Sequence, residues 1–98
     1  MKRILHLTLK RKWFDLIASG AKKIEYRDYK PYWIKRLLGK TYDEIHFRNG
    51  YSRNAPFMRV KYRGHKVVEP RSHTPANGEV LTGMTFALML GDVLEIRI

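Results

Sequence analysis

The sequence predicts a small α+β protein whose sheet curls into a mixed β-barrel of about five to six strands, with two short helices beside it. Three observations carry this. Six stretches are rich in strand-type alternation, two stretches near the start repeat at helical spacing, and 98 residues make one domain. A chain of this length buries roughly two thirds of its unfolded surface without covalent staples. A closed barrel would also leave no strand edge exposed.

Residues 4–9 place Leu5, Leu7 and Leu9 opposite Ile4, His6 and Thr8, the pattern of a half-buried strand. Over residues 11–19, Trp13, Phe14, Ile17 and Ala18 recur at helical spacing, and Gly20 follows as a residue suited to a C-terminal cap. Residues 22–27 return to extended chain. Pro31 then sits near the first position of a second helix over residues 31–38, closed by Gly39, in which the spacing of Trp33 and Leu37 favours core packing. Residues 43–48 alternate Ile45 and Phe47 against Glu44, His46 and Arg48, and Asn49-Gly50 begins a turn.

The longest strand is read over residues 58–68. Met58, Val60 and Tyr62 share one face, and Arg59, Lys61, Arg63 and His65 form a basic face opposite, with Gly64 marking a bulge or bend. Residues 69–83 hold Pro70, Pro75, Asn77 and Gly78 with no sustained apolar period, so they read as a long loop. Residues 86–90 and 93–98 then read as a terminal hairpin turning at Gly91-Asp92.

Charge bounds the partners. Twenty basic residues against nine acidic ones give a net +11, which makes polyanions the first class to consider. Residues 10–40 hold ten Lys or Arg against three acids, and residues 48–71 hold seven against one. A fold that joins these blocks makes a basic face for phosphates. The chain has no cysteine, which excludes disulfides, thiolate metal ligands and a cysteine nucleophile. His6, Thr8 and Lys10 break up the first apolar stretch, so no signal peptide is read and a cytoplasmic location is expected. The run at residues 86–90 is too short to span a bilayer.

The most informative stretch is Gly20-Ala21-Lys22-Lys23-Ile24-Glu25-Tyr26-Arg27. In a strand, Glu25 and Arg27 share one face about 7 Å apart, within reach of a bent-back arginine. Ile24 and Tyr26 take the other face, as core. Lys22 joins Glu25 only if the turn after Gly20 rotates the chain. Such a set suits a polar ligand, with Lys22 as phosphate contact or general base and Glu25 orienting it or accepting a proton. The plainer reading is a structural ion pair. Arg48, Asn49 and Tyr51 form a second candidate group, because a guanidinium, an amide and a ring at a strand end suit single-stranded RNA. Tyr29, Tyr32 and Trp33 interleave with Lys30, Lys35 and Arg36 in the same spirit. His6, His46, His65 and His73 lack metal-ligand spacing, so no metal site is read, and no motif calls for a cofactor.

Gly20, Lys22, Glu25 and Arg27 match the Gly-x-Lys-x-x-Glu-x-Arg signature, and over most of its length the chain resembles the ASCH domain family of the PUA-like superfamily. Trp13-Phe14 with Ile17-Ala18-Ser19-Gly20 looks like the family's first helix, and residues 86–93 are similar to its closing strands around a Gly-acid turn. Tyr32-Trp33 and Phe47-Arg48-Asn49-Gly50-Tyr51 look like a subgroup of small stand-alone bacterial and phage members. The resemblance implies a PUA-like barrel and a cleft beside its helices where the signature residues gather. It implies RNA or a nucleotide-like ligand as partner, bound at the signature residues Gly20, Lys22, Glu25 and Arg27, to which the residue reading adds Arg48, Asn49 and Tyr51 and the basic face of Arg59, Lys61 and Arg63. It also implies an alternative, a small hydrolase acting on modified nucleosides or on RNA, in which Lys22 and Glu25 are catalytic. In the amidohydrolase type the motif lysine, a threonine and a downstream glutamate form the reacting set. Here Glu25 occupies the threonine's strand position, residues 69–83 replace the helix that supplies the glutamate, and Thr8 is the nearest candidate hydroxyl. A third possibility is a protein-interaction module using the aromatic surface.

Overall fold

The computed structural model describes residues 1–98. Seven elements follow in chain order: β1 (Ile4–Thr8), α1 (Arg11–Ala18), β2 (Ile24–Asp28), α2 (Pro31–Leu37), β3 (Glu44–Arg48), β4 (Phe57–Val68) and β5 (Thr85–Arg97). They make an α+β fold with one five-stranded sheet in the order β1-β3-β4-β5-β2, curled into a half-barrel. β1 runs parallel to β3, and every other neighbouring pair is antiparallel. No helix is long and apolar enough to cross a membrane.

The curl places the apolar faces inward. Leu5 and Leu7 of β1, Ile45 and Phe47 of β3, Met58, Val60 and Tyr62 of β4, and Phe86, Leu88 and Leu90 of β5 form one buried cluster. Phe14 and Ile17 of α1 and Leu37 of α2 close over it, each on the face that helical spacing assigns. β1 and β2 are the edges of the sheet and share no ladder. Arg27 of β2 nevertheless donates from Nη2 to the Thr8 carbonyl of β1 at 3.1 Å. One side chain therefore spans the gap where a closed barrel would have a ladder.

Three details differ from expectation. The terminal hairpin is absent: β5 continues through Gly91-Asp92 with one extra residue against β4 there, and the hairpin is instead β4 and β5 joined by residues 69–84. Gly91 serves close approach rather than a turn, because a Cβ there would lie 2.7 Å from Arg63 Nε and 3.2 Å from Lys61 Cβ. His65 leaves the basic face. Gly64 has φ +97° and inserts one extra residue between the Tyr62–Leu90 and His65–Leu88 pairs, so His65 turns to the Tyr62 side. There its Nδ1 meets the Tyr62 hydroxyl at 2.8 Å, and burial lowers its pKa below 6.5. Finally, Ile24 and Tyr26 lie outside the buried cluster, since this side of β2 meets the cleft and the long loop rather than another apolar layer.

Candidate functional site

The site begins with the way α1 ends. Ser19 N–H donates to the Asp15 carbonyl, Gly20 N–H to Ile17 and Lys22 N–H to Leu16, each at 3.0 Å, while Gly20 takes φ +85°. This left-handed cap folds the chain back over the last turn. It supplies the rotation that brings Lys22 to the side of Glu25.

Lys22 is 2% exposed and Glu25 3%. Lys22 Nζ lies 3.4 Å from Glu25 Oε1 and is also bonded to Glu79 Oε2. The second Glu25 oxygen, Oε2, accepts from Arg27 Nη1. Glu25 thus joins two cations, and Lys22 joins two carboxylates. The four charges sum to zero, as low-dielectric surroundings require of a buried ionic set. Two aromatic faces complete the box, with Nζ 5.1 Å from the Trp13 ring centroid and 5.0 Å from that of Tyr26.

Glu79 comes from the loop between β4 and β5, which is tied to the start of β2 at two further points. Asn77 Nδ2 donates to the Ala21 carbonyl at 3.4 Å, and His73 Nε2 lies 2.7 Å from the Tyr26 hydroxyl. Burial, then the nearby Glu79 and Glu25 carboxylates, raises the Tyr26 pKa, so the ring keeps its phenolic proton at neutral pH.

Beside this network lies a cleft of about 570 Å³, the size of a small-ligand site. It occupies the mouth of the half-barrel. β1 gives one wall with His6, Leu7 and Thr8, and β2 gives the other with Glu25, Tyr26 and Arg27. Trp13 of α1, Tyr32 and Trp33 of α2, and Tyr51 line it too, so both tryptophans of the chain face one cavity. Arg27 stacks over Trp33 at 5.2 Å. Its guanidinium spends three N–H groups on Glu25, the Tyr26 carbonyl and Thr8, which leaves Nε–H and one Nη2–H unused. Partial burial, then His46 and Arg48, lowers the His6 pKa, so a neutral imidazole stands at the rim.

The other sequence candidates divide. Gly20 acts through backbone geometry alone and does not line the cleft, whereas Tyr51, 93% exposed, does. Arg48 turns away to stack on Phe57 at 4.7 Å, and Asn49 N–H donates to the Pro56 carbonyl within its own loop. Arg59 and Lys61 line a separate hollow with Lys2 and Glu44, and Arg63 packs beside Gly91. In that hollow Arg59 is fixed by Glu44 (Nε to Oε1, 3.0 Å) and Glu95 (Nη1 to Oε1, 3.0 Å). Glu44 also accepts from Lys2 at 2.9 Å and pairs with His46 at 3.0 Å. The hydrogen bonds from Lys2, Arg59 and His46 hold its carboxyl at a pKa of about 2. The basic face of β4 is therefore partly neutralised by the strands beside it.

Sequence reasoning missed Glu79, since nothing in an aperiodic loop marks which acid folds back. It also assigned Tyr26 to the core and passed over Trp13 as a site residue, since helical spacing groups Trp13 with the core-facing Phe14 and Ile17. No three His, Asp or Glu side chains come together as a metal-holding group. No family model, curated protein or solved structure matches the chain, so any assignment of function rests on this geometry and on the signature residues.

Proposed function

We propose that the chain is an RNA-binding domain of the ASCH type, which seats a base or nucleotide-like ligand in the cleft between β1 and β2. The observation that carries this reading is the convergence of Glu25 and Arg27 with Trp13, Trp33, Tyr32 and Tyr51 on one cavity. Aromatic faces stack on any base, and unstacked single strands expose those bases. Arg27 offers its two unused donors to the edge of a seated base, while Glu79 at the rim accepts. Lys22 sets the charge balance from behind. Tryptophan fluorescence reads occupancy directly: single-stranded RNA and free nucleosides quench it saturably, and Trp33→Leu removes most of the response. A chain whose emission ignores every nucleoside and RNA offered does not bind in this cleft.

A second reading is favoured by one observation, the burial of Lys22 behind the cleft wall against the carboxylates of Glu25 and Glu79, both of which line the cleft. An ammonium and a carboxylate so placed suit hydrolysis of an acylated base. Glu79 takes a proton from water as the water oxygen attacks the acyl carbon and returns it to the amine as the C–N bond breaks, while the Lys22 ammonium behind it holds the Glu79 carboxylate in place. Mass spectrometry of N-acylated nucleosides after incubation separates the readings. A binder leaves them intact, and a hydrolase releases acid and amine in a manner lost with Lys22→Met.

A further inference from the structure

α2 borders the cleft with Tyr32 and Trp33 and carries Lys35 and Arg36 in its last turn. From the cleft outward, aromatic and cationic groups make an unbroken row. Arg27 lies over Trp33 at 5.2 Å, Trp33 meets Tyr32 edge-on at 4.8 Å, and the Arg36 guanidinium covers Tyr32 at 3.5 Å. Arg36 also donates to the Tyr32 carbonyl at 2.9 Å, and the Tyr42 hydroxyl donates to the Arg36 carbonyl at 2.5 Å. Arg3 then lies 5.6 Å over Tyr42.

The row ends in a hollow of about 320 Å³ lined by Arg3, Lys35, Arg36, Lys40 and Tyr42. None of these four cations has a carboxylate within ion-pair distance. Unpaired like charges repel, so folding alone gives no reason to gather them. The β4 face differs, because Glu44 and Glu95 occupy Arg59.

We infer that a single strand of RNA seated in the cleft leaves it over α2, stacking on Tyr32 and laying phosphates on Arg36, Lys35, Lys40 and Arg3. This rests on the binding reading above and adds the path and polyanion contacts of the strand. Alternation of rings and cations at stacking distance suits unstacked bases with their phosphates, whereas a duplex hides its base faces.

The test pairs two readouts, anisotropy of a labelled short single-stranded RNA and tryptophan quenching by free nucleosides. Lys35→Glu combined with Lys40→Glu is expected to flatten the salt slope by about 1.4, two contacts at about 0.7 each, and to lose about 25-fold in RNA affinity at 0.1 M salt. Nucleoside quenching stays at the wild-type level, because neither lysine lines the cleft. Both positions are exposed, and a melting temperature no lower than the wild type's verifies the fold. Lys61→Glu with Arg63→Glu is expected to cost less. An equal or larger loss from that β4 pair, or an unaltered salt slope for the α2 pair, overturns the path while leaving the cleft reading intact, whereas duplex RNA competing as well as single strands overturns both. Failure of the wild-type chain to bind RNA or nucleosides overturns the cleft reading, and the path with it.

Discussion

Glu25 holds Lys22 on one oxygen and Arg27 on the other, inside a wall that water scarcely reaches. Removing its charge strands a buried ammonium with one carboxylate at the rim. Glu25→Gln is therefore expected to lower unfolding free energy by about 3–5 kcal/mol in urea titrations, the cost of breaking a buried pair from one side. Glu79→Gln costs less, because its side chain is 15% exposed and solvent relieves the imbalance. A second carboxylate sets acid stability. Glu44 falls from 4.5 to about 2 in the folded chain, so its contribution is complete above pH 4.5 and is lost as pH drops through about 2. Stability measured from pH 5 to pH 2 should decline steeply, and Glu44→Gln should flatten that decline. Glu25 and Arg27 were legible as a pair from strand spacing, whereas Lys22 joins them through the turn at Gly20, which spacing could only make conditional. Glu79 was not, since it arrives from 57 positions beyond Lys22 in a loop without period.

Elements show the same division between local and long-range causes. Both helices, β1, β3 and the inward face of β4 follow from periodicity, because each buries a face that its own sequence defines. β5 did not. A Gly-Asp pair between two apolar runs signals a turn when only local preference is weighed, yet β4 pairs with Leu90 before it and Val93 after it and keeps the strand going. What the glycine provides is room beneath Arg63 and Lys61. Gly91→Ala is expected to push the exposed Arg63 side chain aside and to destabilise by about 1 kcal/mol or less in thermal or urea unfolding. Arg63→Ala in the same chain should recover part of that loss, since it removes the nearer clash. The position of β5 also predicts that the amides of Ala87 and Leu88, flanked by strands on both sides, exchange among the slowest in the protein.

The curl of the sheet makes the two edges the walls of the cleft. An unpaired edge is ordinarily a hazard for aggregation, and here charges and two helices guard it. The net charge of +11 falls outside the buried network, which is neutral, so nearly all of it is left for the surface. Composition puts polyanions first among the partners to consider, but the separation of the β4 cations from the cleft depends on strand order, which no local pattern encodes. Binding that combines base stacking in the cleft with phosphates outside it must respond to both rings and salt. A titration of tryptophan fluorescence with single-stranded RNA, repeated from low to moderate salt, reads the two together. Saturable quenching with log affinity falling linearly in log salt, by about 0.7 per phosphate contact, is the expected result. Unquenched tryptophans, or an affinity indifferent to salt, would contradict it.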